Sequence, residues 1–322
     1  MIAPDTRTIT RTITRTITRS FTRFVAAVVA YDVLVILFGA WVRITGSGAG
    51  CGDHWPTCHG QLLPRAPSVA TVIEFTHRVT SSLSLVLAVI LVVWARRIFP
   101  SGHTVRRAAW GALIFVSAEA ALGALLVLRG LVAVDASVER AVVVGLHLVN
   151  TYGLLGCCAL CWLASSGMAL GSEAWPRRLR SHILGVVALL LLIGATGAVT
   201  ALGDTLFPIP PASSGGLLAH VSEGLSSGQH FLVRLRVLHP VVAVVGGALL
   251  LVLAVRVRRS SRPTVALASD LVFALVFAQW ALGAANIWLG APGWMQLAHL
   301  ALADLLWMTF VVLAAELRGE PD

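Results

Sequence analysis

Eight apolar stretches, each about 20 residues or longer, alternate with short polar connections, and this rhythm limits what the chain can fold into more than any other feature. About 20 apolar residues wound as a helix cross the hydrocarbon core of a bilayer. Inside that core every backbone N–H and C=O must be satisfied within the protein, so these segments are expected to be helical. The spans fall at about 21–42, 72–94, 104–128, 140–163, 182–202, 231–255, 265–289 and 294–317. Composition agrees: 57% of residues are hydrophobic and only 12% charged, against about 25% charged in a soluble domain. A soluble globule is excluded. The expected fold class is an all-α integral membrane protein with eight transmembrane helices.

The formal charge of +9 raises the question of nucleic acid, but all 24 basic residues are Arg and most cluster between spans. Arg7, Arg11, Arg15, Arg19 and Arg23 precede the first span, and Arg96, Arg97, Arg106 and Arg107 follow the second. Arg177, Arg178 and Arg180 follow the fourth, and Arg256, Arg258, Arg259 and Arg262 the sixth. Clusters at alternate ends mark the cytoplasmic side. The expectation is a cell-membrane protein with both termini cytoplasmic, in contact with lipid and not with nucleic acid. Residues 1–20 repeat Arg-Thr-Ile-Thr and are expected to form a disordered cytoplasmic tail.

Between the first two spans lies Cys51-Gly52-Asp53-His54-Trp55-Pro56-Thr57-Cys58-His59-Gly60. A disulfide-closed lid suits this loop in an oxidising space; a zinc site from Cys51, Cys58, His54 and His59 is the rival, although the spacing follows no usual zinc pattern. Cys157, Cys158 and Cys161 lie inside the fourth span and are expected to pack as small apolar side chains. Asp32, Glu119 and Asp304 also fall within spans, and the sequence assigns them no role.

The two halves of the chain resemble each other. Ala118-Glu119-Ala120-Ala121-Leu122-Gly123-Ala124 in the third span aligns with Ala278-Gln279-Trp280-Ala281-Leu282-Gly283-Ala284 in the seventh. His77 and His147 then correspond to His239 and His299. Two pseudo-symmetric four-helix bundles are the simplest expectation, covering 21–165 and 181–317 with a linker at 166–180.

Ten histidines are present, and six of them (His54, His59, His103, His182, His220 and His230) fall in loops or at helix ends. The other four, His77, His147, His239 and His299, lie inside even-numbered spans at one depth near the outer face. Two imidazoles on facing helices can take both axial positions of a haem iron. Non-haem iron, copper or zinc would also accept imidazole, but those sites recruit further Cys or carboxylate ligands. On this level only Glu74 is available, in Glu74-Phe75-Thr76-His77-Arg78. A carboxylate at a membrane edge is costly and marks a functional site. Haem propionates need cations; Arg234 and Arg236 stand near His239, and Arg78 and Arg43 are the candidates in the first half. The halves are chemically unequal, because Arg236 occupies the place of Glu74.

These residues resemble the haem A synthase family. The resemblance rests on Gly39 to Gly48, the Cys51–Cys58 loop with Trp55-Pro56, Glu74 to Arg78, His147, Thr200 to Asp204 continuing to Phe207-Pro208, Leu238-His239-Pro240, and His299. It implies an eight-helix bundle whose C-terminal half holds haem b through His239 and His299, while His77 and His147 take the substrate haem O. The reaction it implies is oxidation of the porphyrin C8 methyl to a formyl group by two hydroxylations and loss of water. Glu74 would be the essential carboxylate, Cys51 and Cys58 would form a disulfide, and haem O synthase, terminal-oxidase assembly factors and an unidentified electron acceptor would be partners. A bis-histidine cytochrome b that only carries electrons would explain the four histidines but not Glu74 or the cysteine lid. A haem exporter or chaperone is the non-enzymatic alternative.

Overall fold

The computed structural model describes residues 6–168, 174–208, 226, 228–260 and 262–318, with side chains in the first helix described from residue 15. Every named element is helical: α1 (Thr6–Ile44), α2 (Val69–Ile98), α3 (Thr104–Leu128), α4 (Val138–Ser165), α5 (Arg177–Leu206), α6 (Phe231–Leu235), α7 (Leu238–Val257), α8 (Pro263–Trp288) and α9 (Gly293–Glu316). Counting α6 with α7 as one crossing, eight helical segments are long and apolar enough to span a bilayer, and the chain is a multi-pass membrane protein. Apart from the start of α1, the ends agree with the sequence reading to within a few residues, because local chemistry sets them. The side chains of Ser68 and Ser137 accept from the backbone N–H of Thr71 and Arg140, capping α2 and α4. Pro263 opens α8, where a missing N–H costs nothing.

Two expectations are corrected. The Arg-Thr-Ile-Thr repeat was expected to be disordered, yet from Thr6 onward it is helical and continuous with the first span. Extending an existing helix fixes one residue per new hydrogen bond and avoids the cost of nucleation, so a weak sequence can be carried by a strong one. The sixth span is also not one helix, since α6 ends at Leu235 and α7 begins at Leu238. Pro240 accounts for the break: it has no N–H to give, and its ring collides with the carbonyl four residues back, at Arg236.

α1 packs on α2, α2 on α3, α3 on α4 and α4 back on α1, closing a four-helix ring. In the second half α5 packs on α7, α7 on α8 and α8 on α9, with a lighter contact from α9 to α5. The rings meet where α4 lies against α5 and α9 and where α1 reaches α9. At that seam the Tyr152 and Trp307 rings stack with centroids 5.0 Å apart, and Trp307 Nε1 donates to the Tyr152 carbonyl at 2.7 Å. Inside lipid, burial from water no longer drives helices together, so close packing of this kind holds the seam. Cys158 and Cys161 are buried and unbridged among Phe21, Leu91 and Leu154, matching the packing role expected of them.

Candidate functional site

The connection after α1 folds back over the start of α2. A disulfide joins Cys51 to Cys58, so both sulfurs are spent and the zinc alternative falls. The loop is fastened to the helix below through Glu74, which is 4% exposed. Its Oε2 accepts from the Cys51 backbone N–H at 2.7 Å, and its Oε1 pairs with Arg78 one turn on. Arg78 Nη1 in turn donates to the carbonyls of His54 and Thr57, both at 2.7 Å. The Glu-x-x-His-Arg stretch therefore has its carboxylate and guanidinium clamped under the disulfide lid.

His77 follows Glu74 by one turn. Its ring lies over the backbone of Gly39 on α1, where a Cβ would stand 3.0 Å from Cε1, and makes an edge contact with Phe38 at 5.8 Å between centroids. The same relation recurs in the second half: a Cβ on Gly197 of α5 would stand 3.0 Å from Cε1 of His239. Beside it Thr196 Oγ1 lies 3.3 Å from His239 Nδ1. His239 and His299 face each other with ring centroids 6.4 Å apart and planes at 88°.

That spacing tests whether the pair suits haem. Metal–imidazole bonds run about 2.0 Å, so two rings on opposite faces of one metal place their centres roughly 6 Å apart. Among the described residues, the Nδ1 atoms of His77 and His299 are buried without a hydrogen-bond partner. Glycine backbones against His77, His239 and His299 leave the rings the room that side chains would fill. Among the described residues, no group of three or more His, Cys, Asp or Glu is placed to hold a bare metal ion. At His239 and His299 the donor set is thus paired imidazoles, and it fits haem.

A family model described as cytochrome oxidase assembly protein matches residues 22–311. The chain belongs to that family, the haem A synthase family. Two proteins of Thermus thermophilus named protohaem IX farnesyltransferase are 49% identical over 297 residues, which is 89% of this chain and 46% of each of them. The chain thus spans about half the length of these curated relatives. A haem A synthase of Symbiobacterium thermophilum is 43% identical over 100 residues, 31% of this chain and 32% of its own length. One of an Exiguobacterium species is 34% identical over 174 residues, 54% and 55% of the two chains.

For this member of the haem A synthase family the cationic candidates need redrawing. Arg43 was assigned to the first half, but its guanidinium turns to the second. It donates to the Ala201 carbonyl at 2.6 Å, to Thr205 Oγ1, and to Gln296 Oε1 at 2.9 Å, one turn before His299. The end of α1 lies against the start of α9, where Ile44 sits beside Gly293, and this brings Arg43 across the seam. Arg236 forms an ion pair with Asp204 at 2.8 Å and donates to the Gly203 and Phe207 carbonyls, tying α5 to the α6–α7 break. Arg234 is exposed near the start of the sixth span. Arg78 and Arg236 are both committed to carboxylates of the protein.

Sequence reasoning missed one contact. Glu119 of α3 meets the Nδ1 of His147 on α4. Asn150 Nδ2 donates to its Oε1 at 2.7 Å, and Thr151 Oγ1 lies 3.0 Å from the same oxygen. A signal was present: Glu119 lies nine residues before the end of α3 and His147 nine residues after the start of α4. Two antiparallel neighbours joined by a short turn must bring those positions level.

Proposed function

We propose that this protein oxidises the C8 methyl of haem O to the formyl group of haem A, working from the cell membrane with both termini in the cytoplasm. The reading is that His239 and His299 hold haem b as cofactor while His77 and His147 take haem O as substrate. Haem, when bound, supplies redox-active iron and carries electrons toward an acceptor still to be identified. Each of two hydroxylations replaces a C–H bond by C–OH with oxygen from water and passes two electrons to that acceptor and two protons to solvent, and the geminal diol so formed loses water to leave the formyl group.

The observation that carries the reading is the chemical inequality of the places beside His77 and His239, each of whose rings lies against a glycine backbone. Glu74 lies one turn from His77 beneath a disulfide lid, whereas Arg236 takes that place in the second half. A buried carboxylate beside one site alone suits a site where protons must be moved as C–H bonds are oxidised. A protein that only carried electrons would have no use for the difference. The lid narrows access of water from the loop side, and Arg78 holds the Glu74 carboxylate in place. Arg43 and Arg234 are the cations we assign to the propionates of the C-terminal haem.

Farnesyl transfer, named for the Thermus proteins, is not carried to this chain, because the shared segment is less than half of them. The likeness supports a haem O synthase as the partner that supplies the substrate. The test is Glu74→Gln followed by haem extraction. Haem A should disappear while haem O or a hydroxylated intermediate accumulates and haem b is retained. Wild-type levels of haem A would overturn the assignment.

A further inference from the structure

Three of the four site histidines have no carboxylate at the ring nitrogen that faces away from a bound metal. Among the described residues His77 and His299 have Nδ1 buried without a partner, and His239 has the Thr196 hydroxyl and the Ile193 backbone but no carboxylate. His147 is different, because Glu119 Oε2 sits on its Nδ1. The remaining contacts of Glu119 come from groups that donate: the Asn150 amide, itself held by the Phe115 carbonyl at 2.9 Å, and the Thr151 hydroxyl. An ionised carboxylate only accepts. The ring must then be the donor at Nδ1, and in its neutral form it keeps the lone pair at Nε2. At the aligned position in the other half stands Gln279, whose Nε2 donates to the His299 backbone carbonyl at 3.1 Å and leaves the ring untouched.

We propose that Glu119 is a positioning residue that fixes the Nδ1–H tautomer of His147 and makes its Nε2 the strongest donor of the four imidazoles. A carboxylate on the outer nitrogen of a metal-bound histidine fixes ring orientation and raises ligand basicity. A more basic ligand stabilises the ferric over the ferrous state, so the haem held by His147 has the lower midpoint potential of the two. This exchange of Glu for Gln between aligned positions therefore separates the sites electronically. This inference rests on the reading that His77 and His147 hold the substrate haem.

The experiment uses the full chain in detergent, loaded with added ferric haem b as probe and titrated potentiometrically by difference absorbance. Wild type should show two components, and His147→Ala should abolish the lower one. Glu119→Gln should raise that component by about a tenfold change in ferric-over-ferrous preference, about 59 mV for a one-electron couple, leaving the other where it was. If His147→Ala removes neither component, the site reading fails and this inference with it. If it removes one but Glu119→Gln leaves that potential unchanged, the positioning role alone is refuted. Should Glu119→Gln lose both haems through misfolding, Asn150→Ala decides: it frees Glu119 from one donor and should give a smaller shift in the same ligand pair, and no shift refutes the role.

Discussion

Gly197→Ala puts the fit of the C-terminal histidine pair to a quantitative test. The added methyl would meet His239 Cε1 at 3.0 Å, Nδ1 at 3.4 Å and Nε2 at 3.5 Å. Ordinary carbon contacts begin near 3.5 Å, so the ring must move by a few tenths of an ångström. Overpacking of this kind costs about 1–3 kcal/mol. The empty protein can relieve it by swinging the imidazole away, and haem binding must then push the ring back. The cost therefore falls on affinity, as a roughly 5- to 150-fold weaker haem at His239 and His299, with 1.4 kcal/mol per tenfold. Helix propensity acts the other way, since Ala in place of a mid-helix Gly gains about 1 kcal/mol. The protein without haem should thus unfold no earlier than wild type while binding one haem poorly. Haem titration of purified protein, read as stoichiometry and dissociation constant, measures this directly. Gly123→Ala is the control, because a Cβ there meets nothing within 4 Å. If Gly197→Ala binds two haems with wild-type affinity, the His239 ring is not where ligation needs it and the argument from its packing is wrong.

Further predictions follow from the same contacts. Replacing Cys51 and Cys58 by Ser opens a short loop whose closure contributes about 2.5 kcal/mol, and should lower the thermal midpoint and admit protease near His54. Arg236→Ala strands Asp204, whose side chain is 9% exposed, and should cost about 3–5 kcal/mol; Asp204→Asn in the same chain should return part of it in detergent unfolding. Arg43→Lys should fail to restore the stability lost in Arg43→Ala, because one ammonium cannot match a fork that reaches Ala201, Thr205 and Gln296.

Helix number and rough extent were legible because the bilayer leaves the backbone few options, and hydropathy reports those options directly. The break before His239 was also written in the sequence, as Pro240, but the high hydropathy of the whole stretch 231–255 masked it. The four histidines could be singled out by depth alone. Arg43 could not be placed, since its partners depend on how α1 crosses onto α9, a packing angle that no local pattern encodes. Glu119 lay between these cases. Its residue type flagged it, and counting from the turn between α3 and α4 would have set it level with His147, whereas the Asn150 and Thr151 donors that hold it become visible only once the helices are packed. The tail was misread because its composition describes an isolated peptide and not an extension of a stable helix.

Arg43 also bears on how a protein assembled from two like units stays whole. Its three acceptors all belong to the later half, on α5 and α9, although the residue is made with the first helix. While the first four helices alone have emerged during synthesis, that guanidinium has no destination in the bundle and must remain at the water-facing edge. Only when α9 arrives can Arg43 reach Gln296 and the end of α1 settle against Gly293. The residue that α1 gives to the seam is thus satisfied only after α5 and α9 are made, so the two halves are fastened by a contact that neither completes alone.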